Sequence, residues 1–158
     1  MVFMSPSVAR VFALRLRPCP ALSLDIGTSF VGVASTTDLH TAGAVPLKSY
    51  LHLYPIDPSH FPARLQNLMQ AHRPELLIVG WPRPSCGQQS ICGFIERFVE
   101  NLQKSGMQLP VVQQDESNTT VEARRELRQL SRSAGESKSW QDQVAACFVL
   151  QRFAQSLS

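Results

Sequence analysis

The run Leu76-Leu77-Ile78-Val79-Gly80 constrains the fold of this chain more than any other segment. Its apolar residues are continuous and do not alternate with polar ones, so the run differs from a strand that has one face in water. A short continuous run of this kind is typical of a strand that is covered on both faces. The chain therefore has to place further elements on both sides of a sheet.

Strand patterns come before this run, and helix and strand patterns alternate around it. Leu22–Asp25 and Phe30–Ser35 flank a tight Gly-Thr-Ser segment and predict a β-hairpin. The other predicted strands are Val45–Leu51 and Pro110–Asp115, and the predicted helices are Phe61–His72, Ile91–Leu102, one that starts with the capping-box pair Thr119 and Glu122, and about Trp140–Phe153.

The resulting order, β-β-β-α-β-α-β-α-α, predicts an α/β fold. Three strands joined in sequence, followed by alternating helices and strands, predict a five-stranded mixed sheet with three antiparallel and then parallel strands. Helices are expected on both faces of this sheet. Residues 21–158 are expected to form one domain, because 158 residues suffice for one sizeable core.

Composition excludes several classes of protein. No apolar run is long enough to cross a bilayer, and the four cysteines form neither a CxxC pair nor a cluster with zinc spacing. These features favour reduced thiols and an intracellular location, with no membrane partner. The net charge of +3 permits a nucleic-acid partner but does not by itself argue for one.

Residues 1–20 differ from the rest because they contain three arginines and no acid. Acid-poor, arginine-containing N-termini resemble organelle transit peptides, which would place the protein in a mitochondrion or plastid rather than the cytoplasm. The alternatives are a flexible extension or an extra strand at Val11–Leu16.

Carboxylates fall where buried strands and a helix face are expected. Asp25 ends the first strand, Asp115 and Glu116 end the last one, and Asp142 lies on the apolar stripe of the last helix. The carboxyl ends of strands are where open α/β sheets bind ligands. Converging carboxylates repel one another unless cations neutralise them, and oxygen ligands suit Mg²⁺ or Mn²⁺. A pair of such ions is a common device for in-line attack on a phosphodiester.

Asp142 has a simpler interpretation as the acidic end of a capping box that Ser139 begins. Asp115 and Glu116 also have a simpler interpretation, as the polar start of a turn before Thr119. Strand alternation puts Asp115 and Glu116 on opposite faces, so one of the two is expected to point at the site. The sequence leaves open which one.

Five stretches, in order, resemble the YqgF or RuvX family, which is Holliday-junction-resolvase-like and has the ribonuclease H fold. The resemblance implies a metal-dependent nuclease that matures the 5′ end of small-subunit ribosomal RNA, with branched-DNA resolution known for some members. The stretches are Leu24–Thr28 with Val31–Ala34, Ala44–Leu47, Ile78–Pro82, Asp115–Ala123, and Asp142–Ala146 with Leu150-Gln151.

Carried over by position, the resemblance implies that the metal ligands and catalytic residues are Asp25, Asp142 and one of Asp115 and Glu116. The implied partner is precursor ribosomal RNA or a ribosomal particle, bound by a monomer or weak dimer. Candidate nucleic-acid contacts are Thr28, Thr119, Thr120, Arg124, Arg125, Arg128 and Lys138. The arginines are equally compatible with a solvated helix face, since glutamates alternate with them.

A second hypothesis is a catalytically weak or inactive domain that serves as a ribosome-associated assembly factor. Ser29, Phe30 and Ser117 occupy positions where the family usually has basic residues, and fewer cations mean weaker phosphate contacts. A third is a DNA junction resolvase, which would predict a stable dimer.

Overall fold

A computed structural model describes residues 3–42, 50–55, 60–82, 89–116, 125 and 138–157. Side chains are described for all of these except residues 42, 50–55, 89 and 138–143. In chain order the elements are α1 (Pro6–Arg15), β1 (Ala21–Ile26), β2 (Phe30–Thr36), α2 (Leu39–Ala42), β3 (Tyr50–Pro55), α3 (Phe61–His72), β4 (Leu76–Trp81), α4 (Gln89–Lys104), β5 (Val111–Asp115) and α5 (Lys138–Gln155).

Within the described residues the strands form one sheet of five, in the order β3-β2-β1-β4-β5. β1 pairs antiparallel with β2 and β2 with β3, whereas β4 pairs parallel with β1 and with β5. The predicted α/β architecture with a mixed sheet and helices is confirmed. β2, β1 and β4 occupy the inner positions, and the parallel strand β4 has the continuous apolar sequence typical of a strand covered on both faces.

The prediction of the third strand at Val45–Leu51 is wrong at its end, because the strand continues beyond Leu51 to Pro55. The observed strand is Tyr50–Pro55, and residues 45–49 lie outside the described part of the chain. The partner strand decides this register, because Ser35 near the end of β2 pairs with Tyr50, and Phe30 at its start pairs with Pro55. Sequence alternation alone does not contain that pairing.

Two separate apolar clusters cover the two faces of the sheet. The cluster on one face combines α1, α2 and α5 with the sheet residues Ala21, Ala34 and Ile78. The cluster on the other face combines α3 and α4 with Leu24, Val33 and other strand residues. Helices therefore lie on both faces, as the run at Leu76–Gly80 predicts.

The first 20 residues carry a packed helix rather than the expected flexible extension or extra strand. Ser5 caps α1 by accepting a hydrogen bond from the Val8 amide at 3.3 Å, and Pro6 begins the helix, which are standard helix-start features. Ala9 and Ala13 are fully buried against the sheet side. The His40 Nε2–H of α2 donates to the Leu16 carbonyl at 2.8 Å. Whether this segment is also cleaved as a transit peptide stays a prediction.

The remaining differences between prediction and structure concern helices. The sequence did not predict the short helix α2. The helix expected from Thr119 onward falls outside the described residues except at Arg125, which is helical and exposed. Among the described residues, no helix is both long and apolar enough to cross a membrane.

Ser23 provides a test of how α5 is attached to the sheet. Its hydroxyl is fully buried in β1 and donates to the Ala146 carbonyl at 2.7 Å. We expect Ser23→Ala to lower the free energy of unfolding by about 1 kcal/mol, because this buried hydrogen bond is lost. Urea unfolding measures the change. The control Ser29→Ala, at an exposed turn position, should stay within about 0.5 kcal/mol of the wild type; equal effects of the two substitutions would contradict the attachment.

Candidate active site

Asp25 lies at the fifth position of β1, near the carboxyl end of a strand that has neighbours on both sides. It is half-buried and pairs directly with Gly32 of β2. Ser23, two residues earlier, points at α5, where it donates to Ala146. Since side chains two apart along a strand share a face, Asp25 is also on the α5 face of the sheet.

Glu116 follows β5 directly and continues its pairing with β4. Its amide donates to the Trp81 carbonyl at 3.0 Å. Its side chain reaches over Gly80, where an added β-carbon would lie only 2.5 Å from Glu116 Oε2 and 3.0 Å from Val149 Cγ2. Gly80 follows Val79, the parallel partner of Leu24. The missing side chain at position 80 thus leaves the space in which Glu116 approaches Asp25.

The carboxyl groups of Glu116 and Asp25 are hydrogen bonded to each other. A bond between two carboxyl groups needs one shared proton, because an ionised carboxylate can only accept. The two residues are 91 positions apart in the sequence. The parallel pairing of β1 with β4 and of β4 with β5 brings them together.

Asp115 lies outside this pair. It pairs with Trp81 at the end of the β4–β5 ladder and is exposed. Adjacent residues of a strand point to opposite faces, so Asp115 and Glu116 diverge as the sequence predicts. The structure brings Glu116, not Asp115, to Asp25. The Asp115 carbonyl is 3.5 Å from Arg152 Nη1, which donates to it from α5.

Burial raises the pKa of Glu116 above its ordinary value of 4.5, because the charged form loses water. The hydrogen bond from Asp25 opposes this by stabilising the carboxylate, while the charge of Asp115 raises the pKa further. The net direction is upward. Without a cation, the site therefore favours one protonated carboxyl group.

Asp142 lies in α5, one helical turn before Ala146, whose carbonyl accepts from Ser23. Its backbone is described, but its side chain is outside the described part of the structure. Its expected convergence on Asp25 therefore stays a prediction. Among the described side chains, no group of three or more His, Cys, Asp or Glu residues forms a metal site, and Asp142 is not among those side chains.

The candidate nucleic-acid contacts are only partly within the described residues. Thr28 is exposed in the turn between β1 and β2, next to Asp25, and Arg125 is exposed. Lys138 begins α5, without a described side chain. Thr119, Thr120, Arg124 and Arg128 lie outside the described residues, so the proposed arginine stripe stays a prediction.

Sequence reasoning missed the role of Gly80 and the proximity of Arg152 to β5. A signal for Gly80 was present, since a glycine within a buried strand often marks a close approach of another group. No local signal pointed to Arg152, because its proximity to β5 depends on the path of α5 across the sheet.

Comparisons with known proteins agree with this architecture. A family model described as "RuvX: Holliday junction resolvase" matches residues 20–156. Two curated relatives, both named "Putative pre-16S rRNA nuclease", come from Roseobacter denitrificans and Chlorobium luteolum. The first is 33% identical over 82% of this chain and 78% of its own length, and the second is 31% identical over 84% and 91%.

A solved structure with a similar fold is T. thermophilus RuvC in complex with a Holliday junction substrate. The TM-score is 0.54 at 14% sequence identity, and the match covers 88% of this chain and 96% of that one. At this identity, the similarity shows the shared fold alone.

Substitution of Gly80 tests the space that Glu116 occupies. We expect Gly80→Ala to cost about 1–3 kcal/mol in unfolding free energy, because the new methyl group overlaps the Glu116 carboxylate and touches Val149. In a double-mutant cycle with Glu116→Ala, part of this cost should disappear, with a coupling of about 0.5 kcal/mol or more.

The control for this cycle is Gly93→Ala in α4. There a β-carbon meets only the end of the flexible Arg97 side chain, at 3.3 Å, and alanine is the better helix residue. This variant should be neutral or stabilising. Strict additivity of Gly80→Ala and Glu116→Ala would contradict the contact.

The raised pKa of Glu116 predicts a pH dependence of stability. A group whose pKa is higher in the folded state contributes stability below its unfolded pKa, and this contribution is lost as the pH rises through the folded pKa. We expect Glu116→Gln, in chelator, to melt above the wild type at pH 8 and to match it near pH 4. Each unit of the shift corresponds to about 1.4 kcal/mol, or roughly 3–5 °C.

Thermal unfolding followed by circular dichroism between pH 4 and 8 provides the measurement. Asp115→Asn removes only the smaller contribution of the Asp115 charge to this pKa, so its profile should shift in the same direction as that of Glu116→Gln but by less. A Glu116→Gln advantage that grows on acidification would have the wrong sign for this explanation.

Proposed function

Because this chain belongs to the RuvX family, whose relatives are named as nucleases, we propose that it is a divalent-metal-dependent endonuclease that matures the 5′ end of small-subunit ribosomal RNA. The supporting observation is the carboxyl pair of Asp25 and Glu116 at the carboxyl ends of the central strand β1 and the edge strand β5. Such strand ends are where α/β sheets bind their ligands.

The donor chemistry of the pair fits a hard divalent cation. Both residues offer carboxylate oxygens, which Mg²⁺ and Mn²⁺ prefer to nitrogen or sulfur ligands. Burial raises the pKa of Glu116, so a negative charge on this carboxyl group is unfavourable without compensation. Asp25 and Glu116 would hold the cation, with Asp142 as the proposed third ligand. When bound, the ion would supply Lewis-acid stabilisation of the charge that develops on phosphate oxygens.

The protein's own residues position the reaction. β1 and the end of β5 hold Asp25 and Glu116 on a hydrogen-bonded sheet, so their carboxyl groups are fixed before substrate arrives. The adjoining turn at Thr28 and Ser29 is exposed among the described residues, so a polymer that is too large for a closed pocket could approach from that side. Asp115 diverges from the pair and is proposed to have no ligand role.

The relatives and the family description name different nucleic acids. The relatives' name specifies pre-16S ribosomal RNA, whereas the family description specifies a Holliday junction. We propose RNA as the substrate because the chain shares about one third of its residues with the former over most of both lengths. The active species is proposed to be a monomer or weak dimer that binds precursor RNA or a ribosomal particle.

Cleavage assays with Mg²⁺ or Mn²⁺ test both the activity and the choice of ligand. We expect Asp25→Asn and Glu116→Gln to lower the rate of precursor cleavage by more than about a hundredfold, since each removes a direct metal ligand. Asp115→Asn is the matched control, one residue away, and should stay within about fivefold of the wild type. Four-way DNA junctions serve as the competing substrate.

A second measurement separates loss of metal from loss of fold. Mn²⁺ that binds only the native state raises the melting temperature of the wild type and of Asp115→Asn, and it should raise that of Asp25→Asn and Glu116→Gln much less. Wild-type rates in Asp25→Asn would refute the site. Binding to ribosomal particles without metal stabilisation or cleavage would instead favour an assembly factor, and preferential junction cleavage would favour a resolvase.

A further inference from the structure

Phe30 is an exposed aromatic residue at the start of β2, next to the candidate active site. Phe30 is 43% exposed. The other exposed large hydrophobic residues in the described part of the chain are aliphatic and lie on α1, namely Val8, Val11 and Leu14. A single exposed hydrophobic residue is ordinary on a protein surface. The position of Phe30 relative to Asp25 is what gives it significance.

The strand register puts Phe30 on the same face of the sheet as Asp25. Gly32 is the direct antiparallel partner of Asp25, and directly paired residues share a face. Phe30 is two residues from Gly32 in the same strand, paired with Pro55, and therefore also lies on that face. The Cα atoms of Phe30 and Gly32 are about 6.6 Å apart at the usual rise of a strand.

Gly32 lies between Asp25 and Phe30 on this face and is buried, so Phe30 is the exposed residue of β2 nearest to Asp25 on that face. The turn that holds Phe30 is tight, because the Gly27 amide donates to the Phe30 carbonyl at 2.9 Å. The local arrangement is therefore a carboxyl pair, a buried glycine and an exposed aromatic ring, in that order along one face.

Among the described residues, the turn that carries Phe30 offers no positive charge that would hold a polyanion. The turn residues Thr28, Ser29 and Phe30 are uncharged, and the nearby Asp25 and Glu116 repel phosphates in the absence of a cation. Stacking of a nucleobase on an aromatic ring needs no positive charge, and it requires a base that is not already stacked in a duplex.

We propose that Phe30 stacks on an unpaired nucleobase of the strand whose phosphodiester lies at Asp25 and Glu116, and thereby selects single-stranded RNA over duplex. The proposal rests on the proposed nuclease function and specifies its substrate class. Phe30 acts as a substrate-binding residue that positions the strand, while the carboxyl pair remains the chemical centre.

Kinetics of Phe30 variants on single-stranded and duplex RNA of the same sequence provide the first test. Loss of a stacked base corresponds to roughly a 5- to 150-fold change in affinity. We expect Phe30→Leu, which keeps an apolar side chain without a ring, to raise KM for the single strand by such a factor. The kcat should change less than about threefold, and Phe30→Trp should restore the KM. The duplex should bind weakly to all three proteins.

Leu14→Ala is the matched control, because Leu14 is also 43% exposed but lies on α1. It should leave KM and kcat unchanged. Melting temperatures of all variants show whether a change in KM has a structural origin.

A binding assay without turnover provides the second test. In the Asp25→Asn background, a single-stranded RNA with 2-aminopurine near the cleavage position should change its fluorescence on binding, and Phe30→Leu should abolish that change. If Phe30→Leu has the wild-type KM and still shows the full fluorescence change on binding, the stacking proposal is overturned. Cleavage by the wild type would in that case still support the nuclease. Fluorescence changes that depend on Phe30, without any wild-type cleavage, would refute the nuclease but retain the stacking. Absence of binding to single-stranded RNA would overturn both.

Discussion

The approach of the Glu116 carboxyl group to Asp25 is the interaction on which the candidate site depends. It joins the end of β5 to the centre of the sheet across Gly80. It also places two acidic side chains together at a site where burial disfavours the charged form of Glu116. Burial of Glu116 disfavours its charged form, so the pair is costly at neutral pH unless a proton or a cation compensates. Such local cost is characteristic of sites that are built for binding or catalysis rather than for stability.

The sheet supplies this geometry through its topology. Parallel pairing aligns the carboxyl ends of β1, β4 and β5 at one edge, so residues that follow the apolar parts of these strands meet there. The helix α5 covers the same face, attached through the buried Ser23–Ala146 hydrogen bond and the contact of Val149 with the Gly80 position. The opposite face has its own core with α3 and α4. Trp81 joins that second cluster and contacts Phe3 edge-on, so it is separate from the carboxyl pair.

The N-terminal helix shows where pattern reasoning failed and why. In α1 the buried face consists of the small residues Ala9 and Ala13, while the larger Val8, Val11 and Leu14 are exposed. This inverts the usual amphipathic pattern, so helical periodicity did not reveal α1, and a strand at Val11–Leu16 stayed among the alternatives. The cap at Ser5 and the proline after it were the better guides. In contrast, α3 and α4 bury their large residues at helical spacing and were predicted correctly.

The sequence by itself determined the α/β class, the mixed sheet with helices on both faces, and the set of acids from which the site is drawn. These follow from local periodicity and from the cost of placing carboxylates at the ends of apolar strands, both of which are visible in neighbouring residues. Only the tertiary structure decided that Glu116 rather than Asp115 meets Asp25, that Gly80 makes room for it, and that Phe30 shares their face. These depend on strand register, which is a relation between segments far apart in the chain and is set by pairing rather than by local preference.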